Sequence, residues 1–479
     1  MCAHNGQQKC KKTFVLRYYE EFVLVLFCVG IFLYGIGLSN FSLSLRAQSF
    51  FHIGGLLYII FAFRHFGRED LWLLRVPLIT FGIVIVLGLL SYFDDVMPRS
   101  FAKVFASVNT HIINYLVLFV IMFLYMRYAK RRNALILLWF FGLLCAINVG
   151  ATLVEFWQHN FRSHNVPFFF KAVFTYNIWL LAPMALCISG VAVCRHKVLK
   201  AMCVLGALLT LVAMFANGER SFLVASFVMV FVPFFVWHYR YKGKILPFVF
   251  AAICIVMIGM YHYTKTLPER HNFAHMLDNF WAVWQTPPIQ MGKYDKLCFN
   301  GRFECAEQST QNGKAEFSWE HSSLARLAMS KSTFEAFLDA PFAPRLVGVF
   351  QIGEYLWQYY ERHPEKQQNR VYMSVSTKLN GYNHSHNFIL ELLFCYGIFG
   401  FGAIVWFWTF GFSMASKAIR FARDSLEKFF GLYFYVFMAG MIVCGLFESF
   451  YGNILEVFFI LTGCLFGFLS FFVKPPRAL

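Results

Sequence analysis

The chain has 479 residues, 59% of them apolar and only 14% charged, with a formal net charge of +17. Soluble domains run at roughly 45–50% apolar and about 25% charged residues, so a soluble globular protein is excluded. The basic excess would suit nucleic-acid binding, but its placement along the chain removes that reading.

The apolar residues fall in blocks of about 20, the length that crosses about 30 Å of hydrocarbon as an α-helix. Twelve spans are expected, near residues 18–38, 48–63, 73–92, 110–126, 134–154, 173–193, 199–217, 221–238, 246–263, 387–412, 429–447 and 453–473. Length and the lack of alternation predict helices rather than strands, hence an all-α polytopic membrane protein. Gly30, Gly35, Gly37, Gly397, Gly400 and Gly402 would let helices approach closely in lipid. The first span is long and no small-x-small cleavage pattern clearly follows it, so it reads as an anchor. With the N-terminus inside, the cytoplasmic segments hold 23 basic residues against six acidic ones. Essentially the whole excess is then the positive-inside signal, which puts both termini in the cytoplasm and the one long polar loop outside.

Three parts are expected: a membrane bundle over 1–263 with about nine helices, an outer loop domain over 264–385, and a C-terminal bundle over 386–479 with about three helices. The loop is far longer than an ordinary connection. From His321 to Asp339 it places Leu324, Leu327, Ala328, Phe334, Phe337 and Leu338 near helical spacing, predicting an amphipathic helix that ends before Pro341. Phe350 to Arg362 predicts a second helix. Trp281, Trp284, Trp357, Tyr359 and Tyr360 suit packing at the headgroup level. A folded lid on the outer face of the bundle is expected. Cys298 and Cys305, the two cysteines of the loop, flank the turn signal Asn300-Gly301. A turn there would bring them together as a disulfide in an oxidising compartment; the alternative is two free thiols.

His384-Ser385-His386-Asn387 stands where the loop re-enters an apolar helix. Histidine takes up and releases protons near neutral pH. The pair could hold zinc, but carboxylates at ligand spacing are missing nearby, so a general base or an orienting hydrogen-bond partner is the stronger reading. The bland alternative is that Asn387 and one histidine cap the next helix. Glu391, one turn in, would orient His386 or satisfy Asn387, and a carboxylate in a span is a functional candidate by default. Arg220 sits in the very short connection Asn217-Gly218-Glu219-Arg220-Ser221, at the membrane surface. Its rigid fork suits phosphate; the alternatives are snorkelling to headgroups or pairing with Glu219. Arg326 lies on the amphipathic helix, where a plain surface arginine is the default. Arg345, after Pro344, is a weaker candidate of the same type.

His386-Asn387 followed by Phe388, Leu390, Glu391, Leu393 and Gly397 resembles the signature of the superfamily of O-antigen ligases, O-antigen polymerases and protein O-oligosaccharyltransferases. Arg220-Ser221 resembles that family's Ser-Arg-Gly, with Glu219 in place of the Ser and Ser221 of the Gly. Arg326, then a helix, Pro341 and Gly348, resembles its loop pattern, where a Val stands in place of a second Gly. The resemblance covers topology along the chain and sequence at these three points. It implies a GT-C-like, membrane-embedded, metal-independent and inverting glycosyltransferase without a cofactor, most simply an O-antigen ligase of the bacterial inner membrane. Its donor would be a glycan on undecaprenyl diphosphate and its acceptor lipid A-core, at the periplasmic face among membrane lipids. In that scheme Arg220 and Arg326 clamp the diphosphate, and His386 deprotonates or aligns the acceptor hydroxyl. His384 would be a second partner or an acceptor contact. A flippase or other transporter is the alternative of a different class. It should place ionisable groups at mid-membrane and show repeated halves, which this chain does not.

Overall fold

A computed structural model of the chain describes residues 3–38, 46–62, 66–160, 166–170, 176–238, 246–266, 273–299, 317–345, 348, 351–372, 384–422 and 424–472. Its helices, in chain order, are α1 (Ala3–Gly35), α2 (Ala47–Ala62), α3 (Arg68–Leu90), α4 (Phe101–Val108) and α5 (Asn114–Tyr128), these last two joined by a π-turn over Asn109–Ile113. Then come α6 (Arg131–Gln158), α7 (Asn177–Val193), α8 (Lys197–Asn217), α9 (Arg220–His238) and α10 (Leu246–Thr264). The loop segment contributes α11 (Phe273–Gln285), α12 (His321–Asp339) and α13 (Ile352–Arg362); α14 (Phe388–Phe421), α15 (Ser425–Gly445) and α16 (Asn453–Leu469) complete the bundle. Among the described residues there is no strand, only an isolated bridge between Asp295 and Trp319.

Six of these stretches are long and apolar enough to cross a membrane: Arg68–Phe93, Phe101–Tyr128, α6, α8, α14 and α15. Four shorter apolar helices lie in α2, α7, α9 and α16, also at expected spans. These ten stretches are those found among the described residues.

Packing explains why these helices associate. At 1.5 Å per residue α16 is about 25 Å long, and it lies along α5. A Cβ at Gly463 or Gly467 would come within 2.5 Å of the carbonyl oxygens of Phe119 and Phe123. Only glycine admits that approach of two backbones, and close approach is what holds helices together in lipid. Of the glycines singled out above, Gly30 and Gly35 do face neighbours closely, whereas Gly402 faces open space.

The loop segment does more than lie on the bundle. Ala336, Phe337, Ile352, Tyr355, Leu356, Tyr359 and Tyr360 share a buried core with Phe81, Val84, Val104, Val108 and Phe394 of the membrane helices. Tyr359 and Tyr360 are thus core residues, 6% and 1% exposed, and not headgroup anchors; the Tyr360 hydroxyl donates to Ser332 O at 2.7 Å. Trp284 and Trp357 are covered by the cations of Lys331 and Arg370, while Trp281 is exposed. A second small core gathers Val283, Met291, Tyr294, Trp319, Leu324, Ala325, Ala328 and Tyr372.

α14 fastens this segment. It is broken at Gly397, whose φ of 65° belongs to the left-handed region. A Cβ there would meet Phe342 O at 2.9 Å. The break admits the chain leaving α12: Ile398 N donates to Pro341 O at 2.9 Å and Arg345 N to Cys395 O at 3.0 Å.

Candidate functional site

α8 ends at Asn217, and Gly218, at φ 76°, turns the chain at once into α9. Arg220 is therefore the first residue of α9. α12 faces it, starting at Glu320, whose carboxylate caps the helix by accepting from Ser323 N at 3.1 Å. Arg220 Nη2 donates to Glu320 Oε2 and to Ser323 Oγ, both at 2.9 Å. Further along α12, Arg326 Nη1 donates to Glu448 Oε1 at 2.8 Å, and its Nη2 lies 3.6 Å from Glu219 Oε2. Glu448 belongs to the turn between α15 and α16. Two ion pairs thus cross the interface in opposite senses. A bundle arginine meets a loop-segment carboxylate, and a loop-segment arginine meets bundle carboxylates.

The histidine loop runs beside them. Asn387 caps α14, its side chain accepting from Leu390 N at 3.0 Å, and Phe388 N donates to Glu448 O at 3.0 Å. His386 Nδ1 lies 3.9 Å from Glu448 Oε2. Its φ is 56°, unusual for a residue with a Cβ and costly by about 1 kcal/mol or more; such strain gathers at functional sites. The rings of His384 and His386 meet edge to face with centroids 4.2 Å apart. His384 Nδ1 lies 2.9 Å from Ser449 Oγ, and Ser330 Oγ on α12 donates to Ser385 O at 3.0 Å.

Burial first, and then the neighbouring Arg326 cation, pushes His386 down to about 3. His384 is pushed down to about 3 by burial, His386 and Arg326. Both rings are therefore neutral at neutral pH, the form that can accept a proton. Burial also raises the Glu448 carboxyl, against the pull of Arg326. For Glu320 burial acts upward too, but Arg220 and Ser323 outweigh it and the net shift is downward.

Of the expected residues, the structure brings together Arg220, Arg326, His384, His386 and Asn387. Glu391 is close by but bonded otherwise than expected. It accepts from Ser385 N at 3.0 Å, from Ser385 Oγ at 3.1 Å and from Ser449 Oγ, and not from His386 or Asn387. The left-handed turn at His386 carries the chain back so that the Ser385 amide faces the carboxylate. Arg345 does not join the site. Its buried guanidinium donates to Ala336 O at 3.0 Å, Phe337 O at 3.3 Å and Ala340 O at 2.9 Å, completing the carbonyl end of α12. Arg220 pairs with Glu320, while Glu219, its expected alternative partner, turns to Arg326. Cys298 is disulfide-bonded, and Cys305 lies outside the described residues. Glu320, Ser323, Glu448 and Ser449 carried no local sequence signal. Glu219 did carry one, as the residue standing where the resemblance calls for Ser.

A family model described as O-antigen ligase matches residues 205–405. No curated protein matches the chain. The matched segment holds Arg220, Arg326 and the whole loop from His384 to Asn387. These residues approach one another in the fold although they are far apart in the chain. That match, over fewer than half of the residues of the chain, falls on the segment that builds this cluster, and over it the chain is similar to the O-antigen ligase family.

Proposed function

We propose that the protein is an O-antigen ligase, which transfers a glycan from undecaprenyl diphosphate to lipid A-core. The observation that carries this reading is the convergence of Arg220 and Arg326 beside His386. Each guanidinium is held by carboxylates, the ligand type that most resembles a phosphate oxygen. A diphosphate entering the cluster exchanges with Glu320 on Arg220, and with Glu448 and Glu219 on Arg326. The acceptor hydroxyl oxygen then bonds to the anomeric carbon from the face opposite the diphosphate. The bond from that carbon to the phosphate oxygen breaks, its electron pair leaves with undecaprenyl diphosphate, and the configuration inverts. The hydroxyl proton passes to neutral His386. The two arginines stabilise the charge that grows on the leaving diphosphate, so the scheme routes no step through a metal or cofactor. The same reading puts twelve spans in a GT-C-like bundle of the bacterial inner membrane, with both termini cytoplasmic and the cluster facing the periplasm.

Complementation of a ligase-null strain tests this directly, with lipopolysaccharide resolved on gels. Restoration of long, glycan-bearing chains is the expected result. Unchanged short core despite good expression would overturn the ligase reading. A change in glycan length without attachment to core would make the protein a polymerase, and glycan on periplasmic protein would make it a protein O-oligosaccharyltransferase.

A further inference from the structure

Glu391 is 1% exposed inside α14, and its Oε1 receives all three hydrogen bonds described above. Its Oε2 has no hydrogen-bond partner among the described residues, and the residue lines an apolar cavity with Phe388, Leu392, Phe450, Tyr451 and Leu455. A half-satisfied carboxylate is a costly choice at such a position, but it is acceptor-only, whereas a glutamine could turn its amide nitrogen toward Ser449 and reverse that bond. Simple anchoring of two serines therefore does not account for it.

The proton inventory of the neighbours does. Ser449 has one hydroxyl hydrogen, and it points to Glu391. The hydrogen between Ser449 Oγ and His384 Nδ1 must then belong to the imidazole. This fixes the tautomer and the plane of His384, which Tyr451 flanks at 5.7 Å between ring centroids. His384 in turn lies edge to face against His386, whose own backbone sits in a disfavoured region. The ring of His386 is thus set from behind by a chain of contacts that starts at a carboxylate.

We propose that Glu391, Ser449 and His384 form a positioning relay that orients His386 for proton transfer. None of the three needs to touch substrate; each acts through the next. The inference rests on the reading of His386 as the group that accepts the acceptor's proton.

The test uses the full-length protein in nanodiscs, with a lipid-linked glycan donor and a lipid A-core acceptor. Glu391→Gln, Ser449→Ala and His384→Gln are each expected to lower kcat about 10- to 100-fold while leaving the KM for donor unchanged, since a small misplacement of a reacting group costs that much. The double variant Ser449→Ala/Glu391→Gln should be no slower than the slower single, and Ser449→Thr, which keeps the hydroxyl, should recover most of the rate. Full kcat in Ser449→Ala, losses that multiply in the double variant, or no recovery with Thr would each overturn the relay. The isosteric Glu391→Gln keeps the test decisive should Ser449→Ala fail to fold. His386→Ala, run alongside, separates the two claims. If it stays active, the base assignment falls. If it is inactive while the relay variants run at full rate, only the relay falls.

Discussion

The two ends of α16 carry ion-pair clusters of the same chemistry and different construction. At its C-terminal end Arg127 donates to Asp70, 2% exposed, and to Ser470 Oγ at 2.9 Å. Asp70 also takes the hydroxyl of Tyr128 and the amide of Gly67, so it doubles as the first-turn carboxylate of α3. Every partner there belongs to the membrane bundle, and the arrangement is closed. At the N-terminal end, about 25 Å away, two arginines share Glu219, Glu320 and Glu448, and the pairs cross to another part of the chain. The first cluster ties helices that already share a core. The second ties the loop segment to the bundle, and in the proposed function its arginines exchange these carboxylates for the diphosphate. An arginine is thus read as structural or poised by whose carboxylates hold it, more than by how buried it is.

The sharpest way to break this comparison is chemical. His386→Ala should cut transfer by about 10²- to 10⁴-fold, the range for loss of a general base, with a melting temperature close to that of the parent. A large loss of stability with it would make the second cluster structural like the first. Arg127→Ala should act in the opposite manner, costing about 3 kcal/mol because it strands the buried carboxylate of Asp70. A denaturant or thermal melt in detergent measures this, and the specific activity of the folded fraction should be unchanged. Arg326→Ala should lower kcat/KM about 100-fold, chiefly through donor affinity, with a smaller loss of stability than Arg127→Ala.

The pH dependence of stability sharpens the contrast further. His384 and His386 are held down to about 3, against about 6.5 in the unfolded chain. Between these values the unfolded chain binds protons that the folded site refuses. Stability is therefore full above about pH 6.5 and is lost as the pH falls below it. Melting of the donor-free protein between pH 7 and 5 should show this slope, and His384→Gln/His386→Gln should flatten it. The smallest effect concerns the backbone. His386→Gly should be more stable than His386→Ala by about 1 kcal/mol, because only glycine accepts a φ of 56° without strain.

Much of the architecture was legible because it rests on local physics. The helix over His321–Asp339 follows from apolar spacing and the stop at Pro341, and the structure has it over those same residues. The helix expected over Phe350 to Arg362 is found over Ile352–Arg362, and Phe350 lies outside the described residues. α11 went unseen because its aromatic residues read equally well as membrane-surface anchors. The bland reading of Asn387 as a helix cap was right, and it does not compete with a role for its neighbour His386. The carboxylates were illegible for a different reason. Arg220 and Glu320 stand 100 positions apart, and Arg326 and Glu448 stand 122 apart. No periodicity or motif links residues at such separation; only the tertiary fold brings them together.

The turn between α15 and α16 has a consequence for how the protein is made. Glu448 and Ser449, which hold Arg326 and His384, are synthesised after the spans that carry Arg220 and the segment that carries Arg326. Chains emerge N-terminus first, so Arg220 can meet Glu320 and Arg326 can meet Glu219 before Glu448 is made. The cluster becomes whole only when the penultimate helix has turned back and the last one has entered. A nascent chain, or one truncated before this turn, therefore lacks the carboxylate that holds Arg326 and the hydroxyl that meets His384.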